Sequence, residues 1–130
     1  MADRMRRAAV VIPALNEEAS LGDVLAGLPP SLDAVVIDDA STDRTNGIAR
    51  AANAVVLRHA RTSGYDAALV TAIQYCRRAL YDVCVTLDAD GQMPPALAGE
   101  VADRLLCGES DFVLGRRQRP ERWSERVVSY

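Results

Sequence analysis

Apolar residues recur along this chain in two alternating rhythms. Five short unbroken runs, Ala8-Ala9-Val10-Val11-Ile12, Ala34-Val35-Val36-Ile37, Ala54-Val55-Val56-Leu57, Val83-Cys84-Val85-Thr86-Leu87 and Phe112-Val113-Leu114, have strand length and read as buried strands. Between them the apolar positions open out to helical spacing. Leu21, Val24, Leu25 and Leu28 follow a start at Asn16-Glu17-Glu18, and a shorter segment runs from Ser41-Thr42-Asp43 to about Ala52. From Gly64 onward Leu69, Ile73, Cys76 and Leu80 share one face, and after Pro94-Pro95 a fourth helix turns Leu97, Val101 and Leu105 inward. Pro13 is expected to stop the first strand, Pro29-Pro30 to end the first helix, and Ser41-Thr42-Asp43 to cap the second. Strands alternating with helices over short connections predict an α/β domain. Its mostly parallel sheet has about five strands, with helices on both faces and right-handed crossovers.

In such sheets ligands sit beyond the carboxyl ends of the strands. Pro13 to Glu17, Asp38-Asp39, His59 to Gly64, Asp88 to Gln92 and Gly115 to Arg117 collect there. The fourth exit is the most pointed. Asp88 and Asp90, at i and i+2, reach the same side, and Gly91 lets the backbone turn so that Gln92 brings a third oxygen. Three hard oxygens suit Mg²⁺ or Mn²⁺, ions that keep open positions for phosphate. The alternative for Asp90-Gly91 alone is a plain turn. A calcium loop fits worse, because its bidentate Glu would fall on Gly99.

Composition narrows the class. A chain of 130 residues, 49% apolar and 25% charged, fits one globular domain with a real core. Its apolar runs are too short to span a membrane and no secretory segment follows Met1. Cys76, Cys84 and Cys107 lack metal or redox spacing and read as buried fillers of a cytosolic protein; His59, the single histidine, reads as the end of a strand. The net charge of −3 is uneven: residues 116–130 carry five Arg against two Glu, and the rest ten Arg against sixteen acids. An acidic body of this kind is a poor nucleic-acid binder. In the basic tail Trp123, Val127 and Val128 share one helical face with Arg122 and Arg126 outside it; a solvated terminus is the alternative.

Three stretches in this order resemble the nucleotide-sugar half of family 2 glycosyltransferases of the GT-A fold, a Rossmann-like domain. They are Val10-Val11-Ile12-Pro13-Ala14-Leu15-Asn16-Glu17-Glu18, Val36-Ile37-Asp38-Asp39-Ala40-Ser41-Thr42-Asp43 and Asp88-Ala89-Asp90-Gly91-Gln92. The branch most similar is the one that charges polyprenyl phosphates. The resemblance implies a donor-binding domain over residues 1–117 and a basic tail over 118–130. It implies that Pro13, Leu15 and Glu17 line a base and ribose pocket, that Asp39 hydrogen-bonds the nucleobase beside Ile37, and that Ala89 packs near the ribose. Asp88 and Asp90 would be the catalytic pair, holding Mg²⁺ or Mn²⁺ with Gln92 on the diphosphate of a UDP- or GDP-linked sugar. Arg117, in Gly115-Arg116-Arg117, would bind phosphate. Two departures stand out. The third loop reads Thr62-Ser63-Gly64-Tyr65-Asp66, with Asp66 placing negative charge near a helix start, and the chain stops soon after the fifth strand, so it reads as truncated before an acceptor half.

The implied chemistry is a metal-dependent, inverting transfer by in-line displacement. An alcohol acceptor needs a general base. A phosphate acceptor needs none, because the second pKa of a phosphate monoester is about 6. No base is visible, which favours a polyprenyl phosphate, although truncation accounts for it equally. The expected setting is cytoplasmic, at the inner face of the membrane, with peripheral membrane contact and a homodimer through exposed apolar surface. One rival is a nucleotide-sugar-binding module without turnover. Another, a receiver-like domain with Asp38-Asp39 as phosphoacceptor pocket, is disfavoured because the acid pair follows the second strand and the chain has no Lys.

Overall fold

A computed structural model of the chain describes residues 5–109 and the backbone of residues 113–115 and 127–129. Strands β1 (Ala8–Ala14), β2 (Asp33–Asp38), β3 (Val55–Arg58) and β4 (Val83–Thr86) form one parallel sheet in the order β3-β2-β1-β4. Helices α1 (Leu21–Ala26), α2 (Thr45–Ala51) and α3 (Tyr65–Arg78) connect them, and α4 (Ala96–Leu106) follows. The parallel sheet thus has four strands rather than the five predicted. The fifth run, β5 (Val113–Gly115), instead pairs antiparallel with β6 (Val127–Ser129) in a separate two-stranded ladder. Val127 and Val128 are therefore on a strand and not on a helical face; Trp123 lies outside the described residues.

Two cores follow from the alternation of side chains along buried strands. Ala8, Val10, Ile12 and Ala14 of β1 pack with Leu21 and Val24 of α1, Ala49 of α2, and Ala98 and Ala102 of α4. Ala9 and Val11 pack on the opposite face with Val35, Ile37 and α3 residues Ala68, Ala72 and Cys76. With right-handed crossovers, the walk from β1 to β3 places α1 and α2 on one face, and the return past β1 to β4 places α3 on the other. The order in which strands are added to the sheet reverses between β1 and β4, which run parallel. That crevice is the switch point at which ligands enter such sheets.

Pro13 does not stop β1; it stops only half of its pairing. Asp39 N–H reaches Ala14 O on the β2 side, and Pro13 is paired with Ile37, whereas on the other side the ladder ends where Leu87 N–H meets Val11 O. Residues two apart face the same neighbour, so the missing Pro13 N–H points toward β4 and closes that ladder. The two strands part there.

Small residues carry more of the packing than the sequence pattern indicated. On α3 the buried stripe is Ala68, Ala72 and Cys76, while Ile73 and Leu80 are exposed; on α4 it is Ala98 and Ala102. Cys84 and Cys107 are likewise exposed rather than buried fillers, though Cys84 Sγ lies 3.3 Å from Cys76 Sγ. Stripes of Ala let the helix backbone approach closely, and the start of α4 meets the end of α1 in the same way. A Cβ placed on Gly99 would lie 2.7 Å from Pro29 Cγ, and one on Gly27 2.9 Å from Pro95 Cγ. Gly99→Ala is a test of that contact. Helix propensity favours Ala by about 1 kcal/mol, but forcing a methyl onto a rigid ring costs about 1–3 kcal/mol, so a net loss of about 1 kcal/mol is expected in urea unfolding. A stabilised variant would contradict the close approach. No described helix is long and apolar enough to cross a membrane.

Candidate functional site

The loop after β1 is not the start of a helix. Asn16 sits at φ 54°, and α1 begins only at Leu21, because residues 16–18 are tied across to the loop after β2. Asn16 N–H donates to Ser41 Oγ (2.9 Å), Glu17 N–H to Thr45 Oγ1 (2.9 Å) and Glu18 N–H to Asp43 Oδ2 (3.1 Å). In return Thr42 N–H reaches Asn16 Oδ1 (2.9 Å) and Arg44 N–H reaches a Glu18 oxygen (3.1 Å). The acidic and hydroxylic residues of the first two motifs are thus largely each other's partners. They fix the loop from which Glu17 turns to the cavity.

The Asp38-Asp39 pair divides its labour. Asp38 is fully buried, accepts from Ser41 N–H (2.9 Å) and pairs with Arg58, whose second nitrogen holds Ser41 O (2.9 Å). Burial opposes its ionisation, but the bonds from Ser41 and the Arg58 charge outweigh it and hold the carboxyl below its usual range. Asp38 builds the turn. Asp39, also buried, faces the cavity and gathers the loop after β3: Ser63 N–H donates to Oδ1 (2.8 Å), Gly64 N–H to Oδ2 (3.0 Å), and His59 Nδ1 lies 2.7 Å from Oδ1. Here too burial raises the pKa, and the Ser63, His59 and Gly64 contacts more than offset it, so the net direction is down. Gly64 adopts φ 98°, a backbone state that L side chains rarely take, and there starts α3.

At the exit of β4, Asp88 is half-buried, Ala89 buried and Asp90 exposed. Gly91, at φ 75°, makes the turn, and Gln92 N–H closes it on Asp90 Oδ1 (3.0 Å). Ser20 ties this exit to the first loop, donating to Ala89 O (2.6 Å) with Glu17 Oε2 3.3 Å away. Tyr65 lies on the same wall, where burial, and then the nearby Asp88 carboxylate, raise its pKa.

These exits enclose one cavity of about 310 Å³, at the β1/β4 crevice. Pro13, Leu15, Glu17, Asp39, Asp88, Ala89 and Asp90, all singled out in the sequence, line it. Ile37 does not; it is fully buried beneath, in the core against α3. Gln92 contributes its backbone to the turn, and its exposed side chain is not part of the lining. Arg117 lies outside the described residues. The sequence reading placed His59 to Gly64 at this edge but gave Thr62 on the wall and His59 behind it no role in the site, and it did not place Tyr65 or Ala68 on the wall. Among the described residues no three His, Cys, Asp or Glu side chains cluster to form a closed metal cage. Two carboxylates on one wall, with Asp90 Oδ2 left over from the turn, suit instead a hard cation that keeps water and phosphate oxygens as its other ligands.

The model of glycosyl transferase family 2 matches residues 9–125. An uncharacterized glycosyltransferase of Mycobacterium tuberculosis is 37% identical over 84% of this chain and 48% of its own length. The undecaprenyl-phosphate 4-deoxy-4-formamido-L-arabinose transferase of Pseudomonas aeruginosa is 32% identical, over 92% of this chain and 40% of its own. Among solved structures, glucosyl-3-phosphoglycerate synthase from Mycobacterium tuberculosis, in complex with Mn²⁺, UDP and phosphoglyceric acid, superposes with a TM-score of 0.68 at 29% identity, over 81% of this chain and 40% of that one. A complex of the same enzyme holds Mg²⁺ and UDP. The chain spans about half the length of the curated relatives it matches, or somewhat less.

Proposed function

This chain belongs to glycosyl transferase family 2, and from that premise we propose that its cavity binds the nucleoside diphosphate of a sugar donor for a metal-dependent, inverting transfer. The observation that carries the reading is the convergence of Glu17, Asp39, Asp88 and Asp90, from three separate strand exits, on one crevice at the sheet's switch point. Asp39 receives a base N–H. Pro13, Leu15, Glu17 and Ala89 bound the ribose side. Asp88 and Asp90 would hold Mg²⁺ or Mn²⁺, which when bound supplies a Lewis acid for the charge that builds on the leaving diphosphate. The complexes of glucosyl-3-phosphoglycerate synthase with UDP and either ion support this assignment.

The residues themselves orient the donor. Tyr65 and the rigid Gly64 turn close the α3 side of the cavity, and Ser20 fixes the distance between the Glu17 loop and the β4 exit. The four carboxylates that line the cavity among the described residues all have a place on the donor side. An acceptor that is already an anionic nucleophile fits this arrangement. A polyprenyl phosphate is such an acceptor, and the arabinose transferase of Pseudomonas aeruginosa is named for one.

The test is calorimetric titration of UDP and GDP, with and without Mn²⁺, into the protein and its Asp90→Ala variant. Binding that requires Mn²⁺ and weakens at least about tenfold in the variant is expected, since one charged ligand contributes about 1.5–3 kcal/mol. No binding of either nucleotide would remove the donor-site reading.

A further inference from the structure

We propose that His59 determines which nucleobase the cavity accepts, by leaving Asp39 a single free acceptor that suits uracil and excludes guanine. The inference rests on the donor-site reading above. A carboxylate offers about four lone-pair positions, two on each oxygen. Three of those on Asp39 are filled: Oδ1 takes His59 (2.7 Å) and Ser63 N–H (2.8 Å), and Oδ2 takes Gly64 N–H (3.0 Å). An ionised carboxylate only accepts, so His59 Nδ1 is the donor in its contact. The ring is held at its other nitrogen as well: Nε2 lies 2.8 Å from Thr71 Oγ1, whose hydroxyl can donate to it while Nδ1–H donates to Asp39. His59 and Asp39 are both largely buried, their side chains 16% and 6% exposed, so water is a poor substitute for either.

One position on Oδ2 is left for the ligand. The pyrimidine-dione edge presents one ring N–H and uses it completely. The guanine edge presents a ring N–H and an amino N–H side by side, which pair with both oxygens of a carboxylate. With Oδ1 full, guanine would bury one donor unpaired, at a cost of about 1–3 kcal/mol. Cytosine has a ring acceptor where uracil has its N–H, with an amino donor beside it, so it forfeits the ring hydrogen bond and sets a lone pair against the carboxylate, whatever His59 does. The backbone donors, Ser63 and Gly64, are common to any side chain at those positions; His59 is the donor that the sequence at position 59 decides.

The experiment titrates UDP, GDP and CDP with Mn²⁺ into the wild-type protein, His59→Ala and His59→Asn. Asn places an amide N–H near where Nδ1 stands and keeps the donor. The wild type is expected to prefer UDP over GDP by at least about tenfold. In His59→Ala that preference falls toward unity while UDP still binds, and His59→Asn retains it. CDP is rejected by all three. Equal affinity of the wild type for UDP and GDP, or a His59→Ala variant that binds UDP with the full preference, overturns the proposal. Should His59→Ala bind nothing, His59→Asn decides: a wild-type ratio there supports the role, and a lost ratio removes it. CDP binding as well as UDP shows that Asp39 does not read the base, and binding of no nucleotide ends the donor-site reading; either outcome takes this inference with it.

Discussion

If the proposed transfer is correct, replacing Asp88 with alanine is expected to lower its rate by about 10³-fold while leaving the fold's stability within about 0.5 kcal/mol. The asymmetry comes from where the residue stands. Leu87, immediately before it, is 2% exposed and its N–H is anchored on Val11 O, so the backbone that presents Asp88 belongs to the core. The side chain itself stands on the cavity wall near the half-exposed Tyr65 and not in the core. A group placed rigidly where charge develops acts on the transition state more than on the folded ground state. Transfer assays with a sugar nucleotide, alongside urea unfolding, separate the two effects. Turnover within tenfold of wild type would remove Asp88 from the reaction, and a large loss of stability would reassign it to the fold.

The opposite split is expected for Ile12→Ala. Ile12 is fully buried at the centre of β1, paired with Val36 in β2 and packed in the core formed with α1, α2 and α4. Removing three carbons from a site enclosed by strand and helix leaves a cavity that neighbours cannot fill, at a cost of about 3–4 kcal/mol, more than a hundredfold in the folding equilibrium. Ile73→Ala on α3 provides the control. With 60% of its surface exposed it is expected to change stability by no more than about 0.5 kcal/mol. Denaturant midpoints of the two variants side by side would expose an error in either burial.

The sheet and its acidic edge were legible because they are written in strong local signals: unbroken apolar runs that end in Asp38-Asp39 and Asp88-Ala89-Asp90. What escaped was written in relations between distant residues. Asn16-Glu17-Glu18 has the acid-rich look of a helix start, yet its backbone is satisfied by Ser41, Asp43 and Thr45, so the loop stays open until Leu21. On α3 two stripes at helical spacing compete. The larger side chains drew the reading toward Leu69, Ile73 and Leu80 beside Cys76, whereas contact with the sheet kept Cys76 and chose Ala68 and Ala72 in place of the rest. Pro13 misled in another way, since a proline ends one ladder of a central strand without ending the strand. His59 carried no signal of its own, because its role exists only once Asp39 and Thr71 are beside it.

The placement of β4 against β1, rather than against β3, has a kinetic corollary. The pairings of β1 with β2 and of β2 with β3 join neighbouring βα units, and they bring together Glu17, Asp39 and the loop of Ser63 and Gly64. Asp88 and Asp90 arrive only when Val83 pairs with Ala8, across two strands and three helices. Contacts of such sequence separation close late, after the local ones have formed. A nascent or partly folded chain therefore brings the loops of Glu17, Asp39 and Gly64 together before its acidic exit joins them. Its cavity acquires Asp88 and Asp90 only at the step that also completes the parallel sheet.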